Sequence, residues 1–185
     1  SEIALILIIS LIYLFFFLIK SKKIFTKFFM FFLIFNLFFS TIQFTTKFYS
    51  QKRNINFVQD NLSISKKGVF RGMHFQHKYP QAKLVSVLSG EILDIVIDLR
   101  ESSKTFGDWA AFKISSKNKK QLFIPIGFAH GFLSLANETT VMYKVSEYWH
   151  PKDEYTLRFN DEIINLKLPF DPTSISLKDQ KGSSF

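Results

Sequence analysis

The chain has 185 residues and a mass of 21.6 kDa, which is enough for one domain with a hydrophobic core. Its hydrophobic content of 47% excludes a disordered chain, and the absence of Cys excludes a disulfide scaffold and a thiolate metal site. The net charge of +9 does not indicate a nucleic-acid-binding protein, because the basic residues outside the N-terminal segment are dispersed rather than clustered.

An apolar, Phe-rich segment occupies residues 1–50, which hold 13 of the 24 Phe and a single acidic residue. Residues 3–19 are apolar except for Ser10, and three Lys follow within the next four residues, as at the end of a short membrane helix. We expect this segment to be helical. Two alternatives remain for it: a membrane anchor through residues 3–39, or an artefact of the gene model. A domain boundary near residue 50 then separates it from residues 51–185, for which we expect a cytoplasmic location.

Short apolar runs separated by turn residues follow residue 55 and predict an antiparallel β-sandwich or barrel. Residues 93–99 alternate between aliphatic and mostly acidic side chains, which predicts a strand with one face in the core. Residues 83–87 predict the preceding strand, and a turn is expected at Ser89-Gly90 between the two. Further strands are predicted over residues 121–125 and 139–148.

Four His, at positions 74, 77, 130 and 150, raise the question of a metal site. Metal-binding barrels of the cupin type carry His-x-His and then Glu between two Gly, followed by Pro-x-Gly-x-x-His. Residues 125–130 fit the second half, but Gln76 and Lys83 stand at ligand positions of the first half. A protonated ammonium cannot ligate a cation and Gln is a poor ligand, so we expect no bound metal. His77 lies in a Lys-Tyr-Pro loop and is expected to be exposed.

An imidazole, an ammonium and a phenol in one pocket suit proton abstraction next to a carbonyl group. The candidates are His74 as the base, Lys83 as the group that stabilises the enolate oxygen, and Tyr143 as the acid on the other face. A structural role remains an alternative for each of them, as a core His, a solvated Lys and a packing Tyr.

Several motifs occur in a fixed order between residues 55 and 180. They are FVQDN at 57–61, GVFRGMHFQ at 68–76, QAKL at 81–84, SKTFG at 103–107, IPIGFAHGF at 124–132 and SLKD at 176–179. Their order and spacing resemble those of the dTDP-4-dehydrorhamnose 3,5-epimerase family. The resemblance implies an all-β fold, a cupin-like antiparallel jelly-roll barrel, which forms a homodimer and uses no metal or organic cofactor.

The resemblance also implies a reaction and the residues that carry it. The substrate would be dTDP-4-dehydro-6-deoxy-D-glucose, inverted at C3 and C5 to dTDP-4-dehydro-L-rhamnose for dTDP-rhamnose and surface polysaccharide biosynthesis. His74 would be the base, Asp179 would orient it, Lys83 would lie near the C4 oxygen, and Tyr143 would be the general acid. The substrate-binding residues would be Gln59, Asn61, Arg71, His130, Trp149 and Glu154.

Two departures from the family pattern leave alternatives open. The family begins with an Asp-x-Arg-Gly-x-Phe segment whose Arg contacts the phosphates across the dimer, and residues 1–50 contain no match to it. Trp149 replaces a common Tyr, which keeps a stacking surface but loses a hydroxyl. The alternatives are a membrane-tethered sugar-nucleotide binding module with weak or no catalysis, and a mono-epimerase of the same substrate class.

The strand that carries Arg71 and His74 poses a geometric problem. The two residues are three positions apart, so a regular strand would point their side chains to opposite faces. Both can face one pocket only if Gly72 permits a bulge or bend, which we therefore expect.

Overall fold

The computed structural model describes residues 29–34, 36, 37, 40 and 55–185, and the chain divides into two units, Ser1–Phe48 and Tyr49–Phe185. The described residues of the first unit are helical, and the side-chain amide of Asn36 donates to the carbonyl oxygen of Phe32 at 2.8 Å. Within the described ranges, no helix has the length and apolar character needed to cross a membrane. Most of the predicted apolar segment over residues 1–50 lies outside the described residues, so its nature remains a prediction.

The described part of the second unit forms two β-sheets. The four-stranded sheet contains, in spatial order, β1 (Gln59–Ser65), β8 (Thr139–Val145), β3 (Lys83–Ser89) and β6 (Gln121–Ile124). The six-stranded sheet contains, in spatial order, β10 (Ser174–Ile175), β2 (Val69–Gln76), β7 (Phe128–Ser134), β4 (Glu91–Asp98) and β5 (Trp109–Ser115), with β9 (Glu154–Thr156) also paired to β2. The described strand pairs are antiparallel except β10 with β2, so the predicted all-β, antiparallel fold is confirmed.

The core between the two sheets is built from apolar side chains of both. Its buried members are Val85, Val87, Ile92, Ile114, Ile124, Phe132 and Val141. Burial of an aliphatic side chain of this size contributes about 1.5–3 kcal/mol, so this cluster is what holds the sheets face to face.

A second core lies on the outer face of the six-stranded sheet. Ile95, Ile97 and Leu133 pack there against Leu157 and Ile164 of the segment that follows β9. The prediction that β4 has only one face in a core is therefore wrong. The strand is buried on both faces, since the C-terminal segment covers one face and the other, which carries Asp94, points between the sheets.

The predicted turn between β3 and β4 is present but does not form a hairpin. Gly90 has a φ of +80°, and a Cβ there would lie 2.5 Å from the hydroxyl oxygen of Thr139. The two strands belong to different sheets, so the turn carries the chain across the sandwich.

The strand predicted over residues 139–148 ends early, at Val145. The side-chain amide of Gln81 donates to the carbonyl oxygen of Glu147 at 2.8 Å, and that of Gln76 donates to the carbonyl oxygen of Tyr148 at 3.2 Å. Both side chains thus occupy carbonyl oxygens that would accept hydrogen bonds from a neighbouring strand if β8 were longer.

Candidate active site

A cavity of about 460 Å³ opens between the two sheets. Six of the ten predicted site residues line it: Arg71, His74, Lys83, His130, Tyr143 and Asp179. The other four, Gln59, Asn61, Trp149 and Glu154, do not contribute to its walls. Ser63 and Lys178, for which the sequence predicted no role, also line the cavity.

Asp179 and His74 form a close pair although 105 residues separate them in the sequence. The distance between Nε2 of His74 and Oδ1 of Asp179 is 2.6 Å, and the backbone N–H of Gly72 donates to Oδ2 at 3.3 Å. Asp179 lies in a helical turn, Leu177–Gln180, whose first residue is preceded by Ser176; the Ser176 hydroxyl accepts from the backbone N–H of Asp179 at 3.1 Å. The capped turn thus fixes the carboxylate against the imidazole.

The electrostatic surroundings keep Asp179 ionised. Burial favours the neutral acid and would raise the pKa, but the hydrogen bond and the charge of His74 outweigh it and hold the pKa of Asp179 below its usual value. An ionised carboxylate only accepts hydrogen bonds, so Nε2 of His74 carries the proton. The tautomer of His74 is therefore fixed, with Nδ1 as the basic nitrogen.

The irregularity expected at Gly72 is confirmed. The pairing register of β2 with β7 shifts between Arg71 and His74, and Gly72 has a φ of +117°. A Cβ on Gly72 would lie 2.5 Å from the Cα of Gly131 and 2.7 Å from the carbonyl oxygen of His130, so only glycine fits. The shift brings both Arg71 and His74 to the wall of the cavity.

Lys83 and Tyr143 come from the four-stranded sheet, opposite the sheet that carries His74. The side chain of Lys83 is 7% exposed, and burial lowers its pKa to about 8, although the negative charges of Glu154 and Asp94 oppose the shift. Burial likewise raises the pKa of Tyr143, against the opposing positive charge of Arg71. At neutral pH the cavity therefore contains a protonated phenol and an ammonium group, both able to donate.

A second carboxylate–imidazole pair, which the sequence did not predict, lies beside the first. Nε2 of His130 lies 2.5 Å from Oδ1 of Asp94, and Asp94 is 0% exposed. His130 is the direct partner of His74 in the pairing of β7 with β2. The available signal was an acidic residue in the middle of an aliphatic strand, where an ionised group needs a partner.

The four predicted substrate-binding residues that lie outside the cavity walls form a connected network. The side-chain amide of Gln59 donates to Asn61 Oδ1 at 2.7 Å, and its Oε1 accepts from the backbone N–H of Trp149 at 3.2 Å. The indole N–H of Trp149 donates to Glu154 Oε2 at 3.1 Å, and the ammonium of Lys178 forms an ion pair with the same oxygen. Lys178 adjoins Asp179, so this network meets the His74–Asp179 pair at the SLKD motif.

Gln76, His77 and His150 do not line the cavity. The amide nitrogen of Gln76 donates to the carbonyl oxygens of Tyr79 and Tyr148, and its oxygen accepts from the backbone N–H of His150 at 2.8 Å. His77 is exposed, and the ring of His150 stacks on that of Tyr79 at 4.0 Å between centroids. Across the described residues, no three His, Asp or Glu side chains are grouped in a way that would hold a metal ion.

The fold and the paired side chains are those expected of a sugar-nucleotide epimerase of the cupin-like class. The family model described as dTDP-4-dehydrorhamnose 3,5-epimerase matches residues 36–185. The chain belongs to this family. The match begins within the apolar segment 1–50 that the composition sets apart.

The chain matches most of the length of curated relatives that have this name. The protein from Methanothermobacter thermautotrophicus is 46% identical over 129 residues, which are 68% of this chain and 70% of the relative. The protein from Pseudomonas aeruginosa is 42% identical over 132 residues, which are 71% of this chain and 73% of the relative.

Solved structures share the fold. The dTDP-6-deoxy-D-glucose-3,5-epimerase from Legionella pneumophila, in complex with dTDP-4-keto-L-rhamnose, is 40% identical with a TM-score of 0.71 and covers 75% of each chain. A 3'-monoepimerase from Streptomyces bikiniensis, in complex with dTDP-quinovose, is 27% identical with a TM-score of 0.70, covering 75% of this chain and 72% of its own. The cupin-like jelly roll predicted from the motifs is thereby confirmed.

Proposed function

We propose that this chain is a dTDP-4-dehydrorhamnose 3,5-epimerase, which converts dTDP-4-dehydro-6-deoxy-D-glucose to dTDP-4-dehydro-L-rhamnose. The observation that carries the proposal is the placement of His74 and Tyr143 on opposite sheets around one cavity. Inversion needs a base on one face of the ring carbon and an acid on the other, and two facing sheets supply both.

The reaction follows from the groups that line the cavity. Nδ1 of His74 takes the proton from C3 or C5, the C–H electron pair forms a C=C bond to C4, and the C4 carbonyl becomes an enolate. Lys83 stabilises the negative oxygen, and Asp179 stabilises the imidazolium. The enolate then collapses to the carbonyl as the phenol of Tyr143 delivers a proton to the opposite face of the carbon.

The substrate's diphosphate and nucleoside are assigned to the residues beside the cavity. Nε of Arg71 donates to the hydroxyl oxygen of Ser65 at 3.1 Å, which orients its guanidinium at the cavity wall. A planar guanidinium binds phosphate oxygens in a bidentate way, so Arg71 is the diphosphate ligand. Trp149, which is 55% exposed, offers a stacking surface to the thymine.

A homodimeric assembly and a cytoplasmic location remain predictions for this chain.

Solvent exchange tests the proposal. The full chain is incubated with dTDP-4-dehydro-6-deoxy-D-glucose in deuterated water, and label at C3 and C5 is followed by NMR and mass spectrometry. We expect label at both carbons in the wild type and in His77→Ala, because His77 is exposed and does not line the cavity. Label at one carbon only would support the mono-epimerase alternative, and label at neither would support the binding module.

A further inference from the structure

A second cavity, of about 490 Å³, lies outside the candidate active site. Its walls are residues 78–79, 150–153 and Tyr155, and none of these residues lines the active-site cavity. We call it the aromatic cleft. Its volume lies within the range of about 300–1,000 Å³ that is typical of small-molecule sites.

Strand β9 separates the aromatic cleft from the active site. Successive side chains of a strand point to opposite faces, so Tyr155 points away from the face that carries Glu154 and its contact with Trp149. The ring of Tyr155 stacks instead on that of Phe75, its strand partner on β2, with 5.4 Å between the centroids. Since Phe75 follows His74, the cleft belongs to the side of β2 that faces away from the catalytic base.

The cleft has open aromatic surface on walls that are already held in place. The ring of Tyr79 stacks on that of His150 at 4.0 Å, and Tyr79 and Tyr155 are both 47% exposed. The side chain of Gln76 joins the two walls, because it donates to the carbonyl oxygen of Tyr79 at 2.7 Å and accepts from the backbone N–H of His150 at 2.8 Å. A planar ring can therefore stack there without ordering the walls first.

The charges in the lining favour an anion. Lys78 and Lys152 are both exposed, and among the described residues the ion pairs of Lys and Arg side chains belong to other residues. Asp153 is 5% exposed, and its oxygens accept from the backbone N–H groups of Lys78 and Tyr79 at 2.9–3.1 Å. Burial would raise the pKa of Asp153, but these bonds outweigh it and hold the pKa below its usual value. The carboxylate is thus committed to the backbone, and the two ammonium groups are available to a ligand.

We propose that the aromatic cleft is a second nucleotide-binding site, in which the base stacks on Tyr79 and the phosphates bind Lys78 and Lys152. A nucleotide combines a planar ring with adjacent negative charge, which matches aromatic surface beside two ammonium groups. The inference goes beyond the proposed epimerase function and does not rest on it, because no residue of the cleft has a role in that reaction.

Isothermal titration of the full chain with dTDP tests the proposal by counting sites. We expect two sites per chain in the wild type and one in the double variant Lys78→Gln/Lys152→Gln, where binding in the cleft weakens at least about tenfold. Lys117→Gln/Lys120→Gln is the matched control, because it removes the same charge from exposed positions outside both cavities, and two sites are expected. All four Lys side chains are exposed, so both variants are expected to fold, which thermal unfolding verifies.

Two further variants separate the sites and the parts of the ligand. Arg71→Gln should weaken only the active-site binding of dTDP, which leaves the cleft as the tighter site. Tyr79→Leu should weaken dTDP in the cleft about tenfold or more, as expected for the loss of base stacking, without changing the binding of inorganic diphosphate there.

Binding of dTDP that is the same in Lys78→Gln/Lys152→Gln as in the wild type would overturn the inference. Loss of dTDP and of inorganic diphosphate to the same extent in Tyr79→Leu would also overturn it, because the ring would then have no role in recognising a base. Absence of deuterium label from the substrate would overturn the epimerase function instead, while the comparison of the Lys variants would still decide whether the cleft binds a nucleotide.

Discussion

Replacement of Lys83 by Met should stabilise the protein while it removes activity. The side chain of Lys83 is 7% exposed in the cavity wall, and among the described residues its ammonium makes no hydrogen bond that would compensate for its lost hydration. Met has a similar length and no charge, so it can occupy the same space without a desolvation cost.

The size of the effect follows from the pKa. A fall from 10.5 to about 8 corresponds to about 3 kcal/mol at about 1.4 kcal/mol for each tenfold change in protonation. The folded state binds the proton less tightly than the unfolded state, so this penalty applies in full below pH 8. Between pH 8 and 10.5 the unfolded chain holds more protons, and the wild type gains stability as the pH rises.

Urea unfolding of both proteins as a function of pH measures this difference. At pH 7 we expect Lys83→Met to have a free energy of unfolding about 3 kcal/mol above that of the wild type, with the difference vanishing near pH 10.5. Lys113→Met is the matched control: its side chain is 64% exposed and forms only a 3.7 Å ion pair with Glu91, so a change within about 0.5 kcal/mol is expected.

A destabilised Lys83→Met, or a stability difference that does not vary between pH 8 and 10.5, would refute the reasoning. The first result would mean that the ammonium is stabilised by its neighbours rather than penalised by burial. The second would mean that the protonation of Lys83 does not differ between the folded and the unfolded state.

Three further predictions concern the chemistry. His74→Ala should abolish both label uptake and product, whereas Tyr143→Phe should retain some label uptake while inverted product falls by about 10²–10⁴-fold; exchange and product are measured in the same samples, and full activity of His74→Ala would exclude it as the base. Asp179→Asn should lose less activity than His74→Ala, because the base remains and only its orientation and charge partner change; steady-state kcat decides this. Activity should survive exhaustive chelation, because the amide of Gln76 is bonded to the backbone; loss on chelation with recovery on adding a transition metal would contradict this.

The motifs were sufficient to predict residues that meet only in three dimensions. His74 and Asp179 are 105 positions apart, yet they form a 2.6 Å contact, and the parity of Arg71 and His74 required the irregularity found at Gly72. The pairing of His74 with Asp179 was implied by the resemblance to the family. The irregularity at Gly72 followed from strand periodicity, which fixes which side chains share a face, and from glycine, which marks where that periodicity is broken.

Features that depend on how distant segments cover one another could not be predicted. The alternation in β4 correctly indicated a strand, but it did not show that the C-terminal segment buries the face with Ile95 and Ile97. The same lack of information hid Asp94, since a local pattern cannot distinguish an acidic residue that faces solvent from one that is buried between the sheets. Gly90 similarly indicated a turn without showing that the chain changes sheets there.

The cavity is also where the described structure departs from what stability alone favours. Three buried side-chain oxygens in the described residues lack a hydrogen-bond partner, and each lies at or beside the cavity: Ser63 lines it, Asp94 holds His130, and Thr156 is the strand partner of His74. Buried polar groups away from it, such as Asp161, have both carboxylate oxygens bonded. Unpartnered oxygens beside the buried ammonium of Lys83 are expected where a polar substrate supplies the missing hydrogen bonds. Proteins leave buried polar groups unpartnered mainly at functional positions. This distribution supports the binding of a polar ligand in the cavity independently of the sequence comparisons.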